Sequence, residues 1–502
     1  MRNFILLVAL FSVQISQAQK IADPKPFANT ISEDGLKKHL YTIAGKDFEG
    51  RETATEGQRK AAAYIEDHFK TLGLQPGNNG SYQLYYPVYQ DSVTSTSIQI
   101  NKEIFRPNED FVANIAANYS ATIFGSEIVF AGYGISDSAR DDYKGLDVKG
   151  KIVLLLDGMP PDRLQAQIRS RSFNRYGKQD AAQKNGAVAV MVIQNNFPRK
   201  GYITTKGNMY LNAFQKTIRP NTFYVSEKIA KAIMGDDYHG KDNANIQPKT
   251  YTADIMLQFS KATAQLQSSD VLGYLEGTDL KGELVVISAH YDHLGKRDTV
   301  IYYGADDDGS GTVSILEIAE AFAKAKAASK GPRRSILFLA NSGEEKGLWG
   351  SEFYSEHPVY DLAKTTVDLN IDMIGRIDDT RKKGDSTNYV YVVGDDKLSS
   401  DLKVISEAQN KKYTKLELDY KFNDPKDPER IYYRSDHFNF ARKGVPIIFY
   451  YDGMLDADYH KPTDTPDKIN YDVMAKRAKL VFYTAWEMAN RKDMLKRDIP
   501  LN

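Results

Sequence analysis

Residues 281–322 read KGELVVISAHYDHLGKRDTVIYYGADDDGSGTVSILEIAEAF, and residues 333–351 read RRSILFLANSGEEKGLWGS. Two apolar runs, 283–289 and 335–340, each end in polar residues suited to chemistry. The first ends at His290 and Asp292, the second at Glu344 and Glu345. Between them lies an acidic turn bounded by Gly304 and Gly311. Ile315, Ile318, Ala319 and Phe322 then recur with the spacing of one helix face. The pattern predicts a β-α-β unit with both strands buried. In open α/β sheets ligands bind outside the carboxyl ends of the strands, which is where these His, Asp and Glu residues fall.

Working outward, further strand-like runs occupy 366–371, 389–393 and 446–451, with helical patterns between them and a last helix over 471–490. This alternation predicts an α/β domain over 259–502, with a mostly parallel central sheet and helices on both faces. The basic stretch 324–334 reads as a solvated helix end plus turn. Residues 31–74 read as two helices, with Leu36, Leu40 and Ile43 on one apolar face and Ala61, Ile65, Phe69 and Leu72 on the other. Residues 19–95 are therefore expected to belong to the same domain. Residues 96–258 differ in character, with short apolar runs at 98–100, 127–131, 151–156, 187–193 and 251–257. The one histidine there, His239, sits in a Gly- and Asp-rich stretch. This segment reads as an inserted, noncatalytic, β-rich domain.

With 502 residues the chain is long for one domain. Its 66 basic and 66 acidic side chains balance, so there is no basic field of the kind nucleic-acid binding requires. It has no cysteine, which excludes disulfides, thiolate nucleophiles and Cys-ligated zinc. The first twenty residues, MRNFILLVALFSVQISQAQK, carry an early Arg, a short apolar run and a small-x-small end at Ala18. That order predicts a signal peptide over 1–18 and an exported protein, periplasmic or secreted. The run is too short to anchor in a bilayer, so no stable membrane insertion is expected. No Cys follows it, which excludes a lipoprotein anchor.

Five apolar-to-polar junctions deliver candidate ligands: His290 with Asp292, the Asp306-Asp307-Asp308 run, Glu344 with Glu345, Asp372, and His460. Imidazoles among carboxylates favour zinc, with manganese or cobalt as substitutes, over the all-oxygen sets of magnesium or calcium. A shared carboxylate, with one His and one carboxylate on each side, would hold two ions about 3.5–4 Å apart. A further free carboxylate could then act as general base.

The motifs AHYDHLG, GADDDGSGT, SGEEKGLWGS, NIDMIGR, RSDHFNF and YHKPTDT closely resemble those of the M28-type dizinc exopeptidases. That group includes secreted bacterial leucyl-type aminopeptidases and the glutamate carboxypeptidases. The resemblance covers about 31–74 and 271 to the C-terminus, and the inserted segment resembles a protease-associated (PA) domain. It implies two Zn2+, with Mn2+ or Co2+ able to substitute. His290 and Asp372 would hold the first ion, and Asp307 would bridge. Glu345 and His460 would hold the second. Asp292 would orient the His290 imidazole, and Glu344 would be the general base. Tyr432 matches a tyrosine that steadies the oxyanion in some members, with Tyr433 as rival. Asp436 and His437 read as structural, and His293 is not expected to be a ligand.

The resemblance thus implies a metallo-aminopeptidase acting on peptide substrates. A carboxypeptidase or dipeptidase would need cations for a terminal carboxylate, and only Arg376 and Arg434 stand near the motifs. A glutaminyl cyclase would lack the insert and the full metal set. A noncatalytic binding protein would be expected to have lost ligands or the base.

Overall fold

The computed structural model describes residues 21–161, 174–200, 205–214, 216–240 and 246–501. The expected signal peptide, 1–18, lies outside them. The chain forms two compact units. One comprises the chain up to Tyr86 and from Ser268 onward, and the other is Pro87–Gln267. Both boundaries fall inside long strands, Gln83–Ile100 and Lys249–Leu275.

In the first unit, α1 (Glu33–Ile43) and α2 (Glu56–Thr71) precede the part of β1 (Lys249–Leu275) from Ser268 onward and β2 (Leu280–His290). There follow α3 (Gly311–Ala327), β3 (Arg334–Asn341), α4 (Trp349–Glu356), β4 (Thr365–Ile371) and β5 (Tyr389–Val393). The unit ends with α5 (Leu402–Gln409), β6 (Glu417–Asp419), α6 (His437–Arg442), β7 (Ile447–Tyr451) and α7 (Tyr471–Asn490). The sheet order is β6-β5-β7-β4-β2-β3-β1. The centre is parallel: β2 pairs with β3 and β4, and β4 with β7. β5 runs antiparallel to β7, and β1 antiparallel to β3.

Every residue of β3, β4, β5 and β7 is buried, as expected of strands covered on both faces. Val285, Ile287, Ile336 and Phe338 pack with Leu40, Ile65, Ile318, Phe322 and Phe482 on one face. Val286, Leu337 and Leu339 pack with Tyr354 and Phe440 on the other. This is the mixed α/β architecture that the strand–helix alternation predicts.

The basic stretch after α3 departs from a simple solvated turn. Arg334 is fully buried. Its guanidinium donates to the carbonyls of Met488 (3.0 Å), Arg491 (2.6 Å) and Lys492 (3.1 Å) and to Glu283 (2.6 Å). It thereby satisfies one carbonyl in the last turn of α7 and two just past its end.

The second unit has its own apolar core. Strands Ala121–Phe130, Ile152–Leu156, Ala189–Ile193 and Asn221–Val225 pair in parallel in that order. Phe111–Ala113 adds antiparallel at one end. Helices Arg175–Lys184 and Glu227–Met234 belong to this unit. No helix among the described residues is long and apolar enough to cross a membrane.

Candidate metal centre

The parallel strands bring their carboxyl ends together, and with them the polar junctions. β2 ends at His290, opposite Asn341 of β3. Asp372 follows directly on β4, and Glu344 and Glu345 lie in a short 3-10 turn after β3. The acidic turn, residues 305–310, connects into α3. Gly304 starts it with φ +56°, and a Cβ there would lie 2.4 Å from the Asp307 carbonyl oxygen and 2.5 Å from the His293 ring. Only glycine fits such a backbone without strain.

The three consecutive aspartates divide their work. Asp308 accepts N–H groups from His290 (3.2 Å), Gly311 (2.9 Å) and Met373 (3.0 Å). One carboxylate thus ties the end of β2, the start of α3 and the residue after Asp372. Asp306 accepts the Gly375 N–H at 2.8 Å. Only Asp307 turns into the cluster. Its backbone N–H and that of Asp306 are both held by the Asp464 carboxylate, at 3.1 Å and 3.0 Å. Asp464 is four residues beyond His460, so it ties the His460 loop to the acidic turn. Arg51, fully buried, donates to the carbonyls of Ile43, Tyr291, Tyr303 and Gly304 at 2.7–3.0 Å. These clamps were invisible in the sequence; the acidic run by pattern alone does not say which carboxylate faces inward, and it was the family resemblance that singled out Asp307.

His290, Asp307 and Asp372 form one group whose donor atoms converge. The His290 Nε2 lies 3.3 Å from Asp307 Oδ1 and 3.5 Å from Asp372 Oδ1. On the other side, His460 Nε2 lies 3.1 Å from Asp307 Oδ2 and 3.0 Å from Glu345 Oε2. The two oxygens of Asp307 therefore face different imidazoles. Glu344 Oε2 stands back, 3.8 Å from His290 Nε2. His293, set aside in the sequence reading, is buried with its Nδ1 2.8 Å from Glu345 Oε1.

Asp292 sits behind His290. The nearest acceptor to His290 Nδ1 is the Asp292 carbonyl at 3.1 Å, with its carboxylate at 3.7 Å. That carboxylate also accepts from the Thr53 hydroxyl (2.6 Å) and the Glu344 N–H (3.2 Å). It links the His290 strand to the turn bearing Glu344.

Burial pushes the Glu344 carboxyl well above its usual range; the imidazole of His290 opposes this, and Asp372 and Glu345 reinforce it. Burial also works on Asp307, but His290 and His460 hold it well below the usual range. Glu345 is lowered against burial by His293 and His460. Burial opposes charge on His460, yet Asp307 and Glu345 raise it to about 10.

A cavity lined by Asp307, Glu344, Asp372, Arg434, Tyr451 and Tyr459 opens over the group. Tyr432 lines a neighbouring cavity with Lys397 and Tyr433. Its hydroxyl is buried without a partner, and its carbonyl accepts from the His437 ring at 2.8 Å. Asp436 is fully buried and raised to about 7 by desolvation. Arg434 donates to the Tyr459 hydroxyl at 3.1 Å, and Arg376 pairs with Asp458 at 3.0 Å.

The donor set fits divalent ions. The imidazole nitrogens His290 Nε2 and His460 Nε2 and the oxygens Asp307 Oδ2 and Glu345 Oε1 are buried without a hydrogen-bond partner. Unpartnered buried polar atoms are rare and call for an explanation. Their convergence supplies one, and the mixture of imidazole and carboxylate is the zinc type.

The fold and cluster define a mostly parallel α/β protein with a candidate two-ion centre at the strand ends. Residues 270–485 match the model of peptidase family M28. A probable leucine aminopeptidase of Trichophyton verrucosum is 31% identical over 213 residues, 41% of this chain and 54% of the relative. The chain spans about half the length of the curated relatives it matches. An aminopeptidase from Aneurinibacillus sp. strain AM-1 superimposes with a TM-score of 0.55 at 19% identity, covering 96% of this chain and 99% of that one. A zinc aminopeptidase from Bacillus subtilis gives 0.52 at 18% identity, covering 94% and 99%. At these identities the two structures share the fold. Residues 96–258, expected to resemble a PA domain, lie outside the matched segment.

Proposed function

We propose that this chain is an exported zinc aminopeptidase that removes N-terminal residues from peptides. The observation that carries the reading is the Asp307 carboxylate, whose two oxygens lie 3.3 Å and 3.1 Å from imidazole nitrogens of two separate His–carboxylate sets. In this reading His290 and Asp372 would hold one ion, Glu345 and His460 the other, and Asp307 would serve both. Such a pair of ions acidifies water and polarises a carbonyl. Glu344 takes the proton of the attacking water and returns it to the departing amine. Its place beside the cluster, 3.8 Å from His290 Nε2, suits both halves of that transfer. Asp292 holds the backbone of Glu344 and the ring of His290 in register. The names of the aminopeptidase relatives support the substrate class.

Aminopeptidase action is favoured over carboxypeptidase action because both nearby arginines are engaged within the fold, Arg376 by Asp458 and Arg434 by Tyr459.

Free-amine and amine-blocked peptides, assayed with and without chelator, test the reading. Hydrolysis of the free-amine series alone, abolished by chelator and restored by zinc, is expected. Replacing Glu344 by Gln is expected to lower kcat by about 100-fold or more with metal content unchanged. A Gln variant that keeps full activity would exclude Glu344 as the base.

A further inference from the structure

We propose that His293 supplies an imidazole nitrogen to the second ion of this centre, alongside His460. The inference rests on the metallopeptidase reading above and extends it to a residue outside the expected ligand set.

His293 leaves β2 three residues after His290, and its backbone N–H is held by the Arg51 carbonyl at 3.3 Å. Its ring is fully buried and lies where a Cβ on Gly304 would collide with it at 2.5 Å. The side chain is therefore fixed against the acidic turn. The donor atoms of His293, Asp307 and Glu345 all lie within 4.8 Å of one another. Nδ1 is 2.8 Å from Glu345 Oε1 and 4.0 Å from Asp307 Oδ2.

The bland alternative is a ring that simply donates a hydrogen bond to Glu345. The 2.8 Å contact lacks that geometry: neither His293 Nδ1 nor Nε2 has a hydrogen-bond partner. The same holds for His290 Nε2 and His460 Nε2. Each approaches carboxylate oxygens closely without hydrogen-bond geometry. Lone pairs directed at cations, His290 at the first and His293 and His460 at the second, explain all three rings at once. A doubly unpartnered buried imidazole otherwise carries its full desolvation penalty.

The Glu345 carboxylate also sits between two rings. Oε1 faces His293 and Oε2 lies 3.0 Å from His460. The two rings stand edge to face, with centroids 5.9 Å apart. Glu345 and two imidazoles then surround one position, with Asp307 closing it. The first ion would have one nitrogen and two carboxylates, the second two nitrogens and two carboxylates. More imidazole favours zinc or cobalt over manganese or magnesium, so the second position should be the more zinc-selective.

The test uses the full chain loaded with cobalt. An imidazole bound to Co2+ through one nitrogen shows its other N–H as an exchangeable, hyperfine-shifted proton resonance. Three such signals are expected in the unaltered protein and two in His293→Asn. Zinc titration should show one of the two sites weakened at least tenfold in His293→Asn and the other unchanged. Should that variant fold poorly, His293→Gln serves the same comparison, and the count in the unaltered protein stands by itself. Two signals with two cobalt ions bound would overturn the proposal and leave the peptidase reading intact. A protein that binds no cobalt or zinc would overturn both.

Discussion

At the residue scale the sequence announces the residues that would touch an ion and hides those that position them. His290, Glu344, Glu345 and Asp372 each stand where an apolar strand stops, so pattern alone marks them. Asp464 is different. It reads as one acid in a polar loop, yet its buried carboxylate accepts the N–H groups of Asp306 and Asp307. Only the tertiary meeting of two loops far apart in sequence creates that role. Burial raises this carboxyl to about 6, but the backbone donors keep it useful as an acceptor. Replacing Asp464 by Ala strands two buried N–H groups, each worth about 1–3 kcal/mol. Denaturant unfolding should show a loss of about 2–6 kcal/mol, with weaker zinc binding because Asp307 is no longer held. Asn, which keeps an acceptor oxygen, should recover part of both. An Ala variant equal to the parent in both measurements would remove Asp464 from this role.

At the element scale, strand and helix existence was legible because buried parallel strands read as unbroken apolar runs. What escaped was polar packing between elements. Glu317 lies on the buried face of α3, and its carboxylate accepts the Ser32 N–H ahead of α1 at 3.1 Å. His39 of α1 faces it at 3.8 Å, with its own proton affinity lowered to about 4 by burial. His39 is therefore neutral at ordinary pH and gives Glu317 no counter-charge. Burial raises Glu317 to about 7; Ser32 opposes this and Glu320 adds to it, while Lys324 and Lys38 pull it down. Because the folded-state value is raised, its contribution is fully present below about 4.5 and is lost as pH climbs through about 7. Glu317→Gln cannot ionise. Relative to the parent it should gain on the order of 2 kcal/mol between pH 5 and pH 8, allowing for partial solvent screening. Urea unfolding at the two pH values reads this directly. A gain that is the same at both values, or larger at pH 5, would show that Glu317 is not held with a raised proton affinity.

At the scale of the whole molecule, the length of the chain pointed to more than one domain, but the change of unit falls inside strands. Gln83–Ile100 and Lys249–Leu275 run on as strands through Tyr86 and Ser268, so no loop marks the passage. Each unit nevertheless has a separate core, and all the candidate ligands belong to the first. They come from five segments: the end of β2, the acidic turn, the turn after β3, the end of β4 and the loop after β7. Ions joining these segments bind the folded unit and not the unfolded chain. Their contribution is RT ln(1 + [L]/Kd), about 4 kcal/mol when free metal exceeds Kd about a thousandfold. Removing metal with a chelator should therefore lower the melting temperature of the first unit by about 5 °C or more. Zinc should restore it. Magnesium should not, since it prefers all-oxygen sets. Calorimetry with hydrogen exchange assigns the melting to one unit or the other. The exchange protection of the Pro87–Gln267 core should be the same with and without chelator, because none of its residues is in the donor set. Equal destabilisation of both cores would mean that the ions act on something other than the strand-end cluster. No destabilisation of either would mean that the unpartnered imidazoles and carboxylates converge for another reason.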